Sequence, residues 1–144
     1  MKWHMKEIVL EADIRNIYKL GDFLEDSLSE LNVSMAEDMK INLVMEELFV
    51  NIANYAYAPD HGWARIQTEV FPEQNAIEIT VIDQGVEFNP LSRKDPDVTV
   101  SAKERGIGGL GIYMAKTEVD EMKYRRQDDE NILWLRKEFG KKKK

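Results

Sequence analysis

The sequence predicts an α+β fold, a two-layer sandwich whose mixed, mostly antiparallel sheet carries helices on one face. Three observations lead there. Segments that alternate apolar and polar side chains, as half-buried strands do, occur at the start, in the middle and at the end of the chain. Two long segments near the N-terminus repeat apolar residues every three and four positions, as helices with one buried face do. With 144 residues, 43% of them hydrophobic, the chain can bury one core and suits a single domain.

The first strand is expected over 6–11, where Ile8 and Leu10 share a face. Asp13 suits the N-cap of a helix over about 14–31, with Ile14, Ile17, Leu20, Leu24, Leu28 and Leu31 at helical spacing. Ser34 and Glu37 fit a capping box at the head of a second helix, which runs to about Tyr57 and stops at Pro59, Asp60 and Gly62. Ala64, Ile66, Thr68 and Val70 alternate with polar residues and predict a strand. Residues 72–75 predict a turn, and 76–83 a strand with Ile77, Ile79 and Val81 on one face, which makes a hairpin. A third helix is expected after Gly111, and closing strands over 124–127 and 132–139.

Residues 84–108 differ: two prolines, several glycines, mixed charge and scattered apolar side chains. So long a connection in a small domain is usually a binding loop or a lid. The chain is acidic, with a formal net charge of −7, which argues against nucleic acid as a partner. It has no cysteine and two histidines, so disulfides, thiolate sites and a histidine-rich zinc site are excluded. No signal peptide and no membrane span are expected, which makes the cytosol the default location. The run Lys141–Lys144 reads as a frayed, solvated terminus.

Three short motifs carry chemistry. In the second helix, whose end reads EELFVNIANYAY over residues 46–57, Ile41, Val44, Leu48, Ile52 and Tyr55 fall on one arc and form the core stripe. Glu47 and Asn51 stack at the border of that stripe, while Glu46 points about 100° away, toward solvent. The pair reads either as a solvated helix edge or as polar groups facing a cleft. Asp83 ends a strand two residues before Gly85. That is either a plain Asp-x-Gly turn or an acceptor for an exocyclic amine beside a glycine that admits a flat ring. Gly106, Gly108, Gly109 and Gly111 precede a helix, where free backbone amides make an anion site. The spacing also matches G-x-G-x-x-G, but the polar segment 101–105 stands where a dinucleotide site needs a buried strand.

Taken in order, Glu47-x-x-x-Asn51, Asp83-x-Gly85 and Gly106-x-Gly108-Gly109-Leu110-Gly111 resemble the three motifs of the GHKL (Bergerat-fold) ATP-binding superfamily. The phrases ELFVNIANYAY, DQGVEFNP and ERGIGGLGIYMAK are most similar to the anti-sigma-factor serine/threonine kinases of that group. The likeness spans about residues 6–139, and implies one histidine-kinase-like ATP-binding domain over 1–144 with a disordered basic tail at 140–144. By position, it implies that Asn51 coordinates Mg2+ and that Glu47 is the general base. It implies that Asp83 binds the adenine amine with Gly85 supporting the ring, and that residues 106–111, Leu110 among them, wrap the phosphates of ATP. Arg105 stands where it would offset phosphate charge. The implied partner is a STAS anti-anti-sigma protein, with room for a sigma factor and for a homodimer. The competing function is a nucleotide-gated module that sequesters a sigma factor without catalysis. One departure is visible: the subgroup often has a Gly-Thr pair before its last strand, whose threonine supports the adenine carboxylate, and this chain has Glu130-Asn131.

Overall fold

The computed structural model describes residues 4–58, 60–92 and 109–141. Five strands form one sheet: β1 (Met5–Glu11), β2 (Trp63–Phe71), β3 (Ala76–Asp83), β4 (Glu121–Gln127) and β5 (Glu130–Glu138), in the order β1-β2-β3-β5-β4. All four pairings are antiparallel, so the described sheet has no parallel member. Among the described residues, three α-helices lie on it: α1 (Ile17–Leu28), α2 (Met35–Asn51) and α3 (Gly109–Glu118).

The core forms where the alternation and the helical spacing meet. Leu20, Leu24 and Leu28 of α1 and Ile41, Val44, Leu48 and Phe49 of α2 are buried. They pack on Ile66 and Val70 of β2, Ile77, Ile79 and Val81 of β3, and Leu133 and Leu135 of β5. The buried hydroxyls of Ser27 and Thr68 pair at 2.8 Å, which joins α1 to β2 without leaving a polar orphan. The opposite face of the sheet carries a polar lattice: Arg136 and the Trp134 indole both donate to Glu78, and Lys123 sits over the Trp134 ring.

Several boundaries differ from expectation. Asp13 caps a 3-10 turn, Ile14–Asn16, by accepting from Arg15 N, and α1 begins only after it. Ser34 and Glu37 do form a capping box on α2. That helix does not run evenly to Tyr57. It passes into a π turn, Ile52–Ala56, whose wider winding takes Tyr55 off the core stripe and leaves it half exposed. The last two strands meet at Asp128 and Asp129, both with positive φ (52° and 62°), as a tight two-residue hairpin requires.

At the far end of the sheet Asn75, with φ 52°, ties three segments together. Its amide accepts from Asn32 N and donates to Asn32 O and Phe139 O. The tail is held longer than expected. Gly140 N donates to Glu37 Oε2 at 2.8 Å, and Lys141 pairs with Glu138 at 3.2 Å. Residues 142–144 lie outside the described residues, as do 93–108 in the long connection.

Candidate functional site

Where α2 passes into its π turn, a cavity of about 310 Å³ opens between the helix and the C-terminal end of β3. Leu48, Ile52, Tyr55 and Ala56 form its helical wall, with Asn51 at the same wall. Val81 and Leu133 form the sheet side, and Val86, Phe88 and Pro90 the side of the turn after β3. The lining is apolar except at a few points: Asp83, Asn131, Asn51 and the Tyr124 hydroxyl. A mostly apolar cleft with a few convergent polar groups is the usual form of a small-molecule site.

Asp83 is 7% exposed, and its environment is specific. Oδ1 accepts from Gly85 N and from Asn131 Nδ2, both at 2.9 Å. Oδ2 has no donor among the described residues, yet no buried side-chain polar atom there lacks a partner, so Oδ2 is open to the cavity. Asn131 stands opposite Asp83 in the β3–β5 register and is itself buried. Its Nδ2 also donates to Val86 O at 2.7 Å, and its Oδ1 accepts from Phe88 N at 3.2 Å and Tyr124 OH at 2.6 Å. The helix side holds the same turn. Val86 N donates to Ala56 O, and the Tyr57 hydroxyl accepts from Gln84 N and donates to Trp63 O. Burial pushes the pKa of both Tyr57 and Tyr124 up from the usual tyrosine value, with Asp83 adding to the first and Glu87 to the second. Both phenols therefore keep their protons at neutral pH and can donate.

Gly85 is tight for a reason other than ring access. A Cβ there would collide with the backbone and Cβ of Ala56, so the glycine lets the turn seat against the end of α2. It backs the cavity and does not line it.

The expected site residues divide into three groups. Asn51 and Asp83 meet in the cavity wall. Glu47 is exposed and outside the lining, whereas Glu46, expected in solvent, is half-buried. The reason is the neighbours of α2. Glu46 lies four residues after Asn42, whose amide donates to Glu25 of α1. Glu47 lies seven after Lys40, which pairs with Glu118 of α3 at 3.8 Å. Seven residues return to within about 20° of the same helix face, so Glu47 belongs to the α3 side. Of the glycine run, Gly109, Leu110 and Gly111 form the first turn of α3 and not a loop. Glycine's low helix propensity is why the sequence reads as loop there, whereas packing of the turns that follow carries the helix through it. Arg105, Gly106 and Gly108 lie outside the described residues.

Asn131 and Tyr124 were not among the expected site residues. The available signal was Asn131 itself, a carboxamide on the inward face of a strand whose next inward residues are Leu133 and Leu135. It supplies the donor to Asp83 at the place where the subgroup often has threonine.

Residues 10–137 match the family described as histidine kinase-like ATPase domain. The serine-protein kinase RsbW of Bacillus licheniformis is 30% identical over 92 residues, which cover 60% of this chain and 55% of that protein. The RsbW of Listeria monocytogenes is 30% identical over 91 residues, 60% of this chain and 56% of that protein. The chain thus spans little more than half the length of these relatives. Among solved structures, the RsbU and RsbW domains of Rv1364c from Mycobacterium tuberculosis superpose with a TM-score of 0.64 at 18% identity, over 93% of this chain and 32% of that one. The histidine kinase domain of the Erythrobacter litoralis EL346 blue-light activated histidine kinase gives 0.52 at 12% identity, over 85% and 59%. Both share the fold. With the family matched from Leu10 in β1 to Lys137 in β5, and with its cavity built on Asn51 and Asp83, this chain belongs to the histidine kinase-like ATPase domain family.

Proposed function

We propose that the chain is an ATP-dependent serine/threonine protein kinase and anti-sigma factor in a bacterial partner-switching circuit, and that its substrate is a STAS anti-anti-sigma protein. The observation that carries the nucleotide reading is Asp83 Oδ2, an acceptor with no donor among the described residues, in a mostly apolar cavity and suited to the exocyclic amine of adenine. The helix wall carries Asn51, whose amide oxygen would be one ligand of Mg2+, with phosphate oxygens and water completing the shell as magnesium sites usually do. The first turn of α3 would turn its free backbone N–H groups to the phosphates. Support for a protein substrate comes from Glu47. A base that meets a partner's serine must be reachable from outside, and Glu47 is exposed beside the cavity wall, one helical turn before Asn51. Its carboxylate would take the serine proton as the serine oxygen bonds the γ-phosphorus and ADP leaves with the bridging oxygen. The names of the curated relatives support the kinase activity.

Calorimetry with ATP, with and without Mg2+, tests the cleft: no heat at millimolar nucleotide rules the reading out. Transfer of labelled phosphate to a purified STAS partner tests the rest. Glu47→Ala should leave ATP affinity within a few-fold and lower transfer by about 10²-fold or more. Glu46→Ala, altered on the α1 side of the helix, should change transfer little. ATP binding without transfer by the wild-type chain would select the nucleotide-gated sigma-binding module instead.

A further inference from the structure

Tyr124 sits in β4, an edge strand, with β5 between it and Asp83, and yet its hydroxyl ends in the carboxylate's own hydrogen-bond network. The link is Asn131. A carboxamide has two N–H donors and an oxygen with two lone pairs, and Asn131 uses all four. On the nitrogen side are Asp83 Oδ1 and Val86 O, both close. On the oxygen side, the Phe88 N–H is long at 3.2 Å and the Tyr124 hydroxyl short at 2.6 Å. Tyr124 is therefore the stronger hold on the oxygen end of the amide. A second residue of the same strand, Arg126, donates to Gly85 O at 2.8 Å. One edge strand thus reaches over its neighbour to grip the turn that presents Asp83.

On the reading of the cavity as an adenine nucleotide site, we propose that Tyr124 is a positioning residue for base selection: by anchoring Asn131, it keeps Asp83 Oδ1 occupied and Oδ2 alone directed at the base. With the phenol removed, the amide keeps only its long bond on the oxygen side and turns more freely about its last torsion. Asp83 then loses a fixed donor and rotates, and the cavity presents a less defined acceptor. The consequence is a loss of discrimination, not merely of affinity. ATP offers an amine at the purine 6-position, and inosine triphosphate offers an oxygen there, which a fixed carboxylate oxygen repels.

The experiment measures the dissociation constants of ATP and inosine triphosphate for wild type, Tyr124→Phe, Asn131→Thr and the double variant. Phenylalanine keeps the ring against the cavity, and thermal melts of each variant check that it is folded. Tyr124→Phe should lower the ATP preference by about fivefold, chiefly through weaker ATP binding. Threonine at 131 has no amide to be anchored, so Tyr124→Phe in that background should move the preference by less than about twofold. An equal drop in both backgrounds overturns the proposal, because Tyr124 would then act without Asn131. So does an equal loss for both nucleotides, which is what simple destabilisation of the pocket produces. Wild type that binds neither nucleotide overturns the adenine reading itself, whereas wild type that discriminates and a Tyr124→Phe variant that discriminates equally well overturn only the role of Tyr124.

Discussion

Asp83 presents one oxygen to the cavity because its other oxygen is taken by Gly85 N and Asn131 Nδ2. This fixes what an amide at that position would do. In Asp83→Asn the side-chain oxygen must stay with those two donors, so the new NH2 is the group that faces the cavity. An acceptor becomes a donor at the same place. ATP affinity should fall by about tenfold or more, and inosine triphosphate, with its 6-oxygen, should bind better relative to ATP than it does to wild type. Competition calorimetry with the two nucleotides reads this directly. An unchanged ratio would place the base contact elsewhere. Glycine 85 shows how a residue type can be legible and its reason not. The sequence marks it as a place of close approach, but the partner that approaches is Ala56 at the end of α2.

At the scale of elements, α2 does most of the placing. Its N-terminus is fixed by the box of Ser34 and Glu37, and its C-terminus widens into the π turn that lines the cavity. Glu37 does more than cap. Burial alone would raise its pKa, but the backbone N–H groups of Gly140 and Ser34 outweigh that and hold it below the usual value. A carboxylate with a depressed folded pKa adds stability above its unfolded pKa, and that stability is lost as pH falls through the folded pKa. Glu37→Gln keeps an acceptor for the box but cannot titrate. Its melting temperature should therefore drop less than wild type's between about pH 7 and pH 3, a window bracketing the unfolded glutamate pKa. Thermal melts across that range check it, and parallel curves for the two proteins would show that Glu37 contributes nothing to acid sensitivity. Glu25 opposes this trend. The carboxyl of Asp38 beside it raises its pKa, so ionised Glu25 weakens the α1–α2 contact near neutrality.

At the scale of the molecule, the two ends of the sheet have separate tasks. One holds the cavity. The other is closed by Asn75, whose left-handed backbone and three amide hydrogen bonds join the β2–β3 turn, the link before α2 and the end of β5. Asn75→Ala removes those bonds and leaves a β-carbon in a conformation alanine disfavours, which should cost about 2–4 kcal/mol in urea unfolding. Nucleotide affinity should stay within about twofold, because the cavity lies at the opposite end of an eight-residue strand. A large loss of affinity without a loss of stability would mean that the two ends are coupled.

Periodicity located the strands and helices to within a few residues, and the inward rows of Ile66, Val70, Ile79 and Val81, since a buried face imposes a period on any strand or helix that carries it. The order of Asn51, Asp83 and the glycine run determined where the site would be sought. Tertiary structure decided the rest. Whether Glu46 or Glu47 faces α1 depends on which helices flank α2, and no single-helix pattern contains that. Asn131 meets Asp83 only through the β3–β5 register, across a separation of 48 positions, and Tyr124 meets Asn131 only through the hairpin that folds β4 back along β5. Local pattern reports the face a residue buries. The partner it meets there is set by long-range strand pairing, which depends on the sequence as a whole.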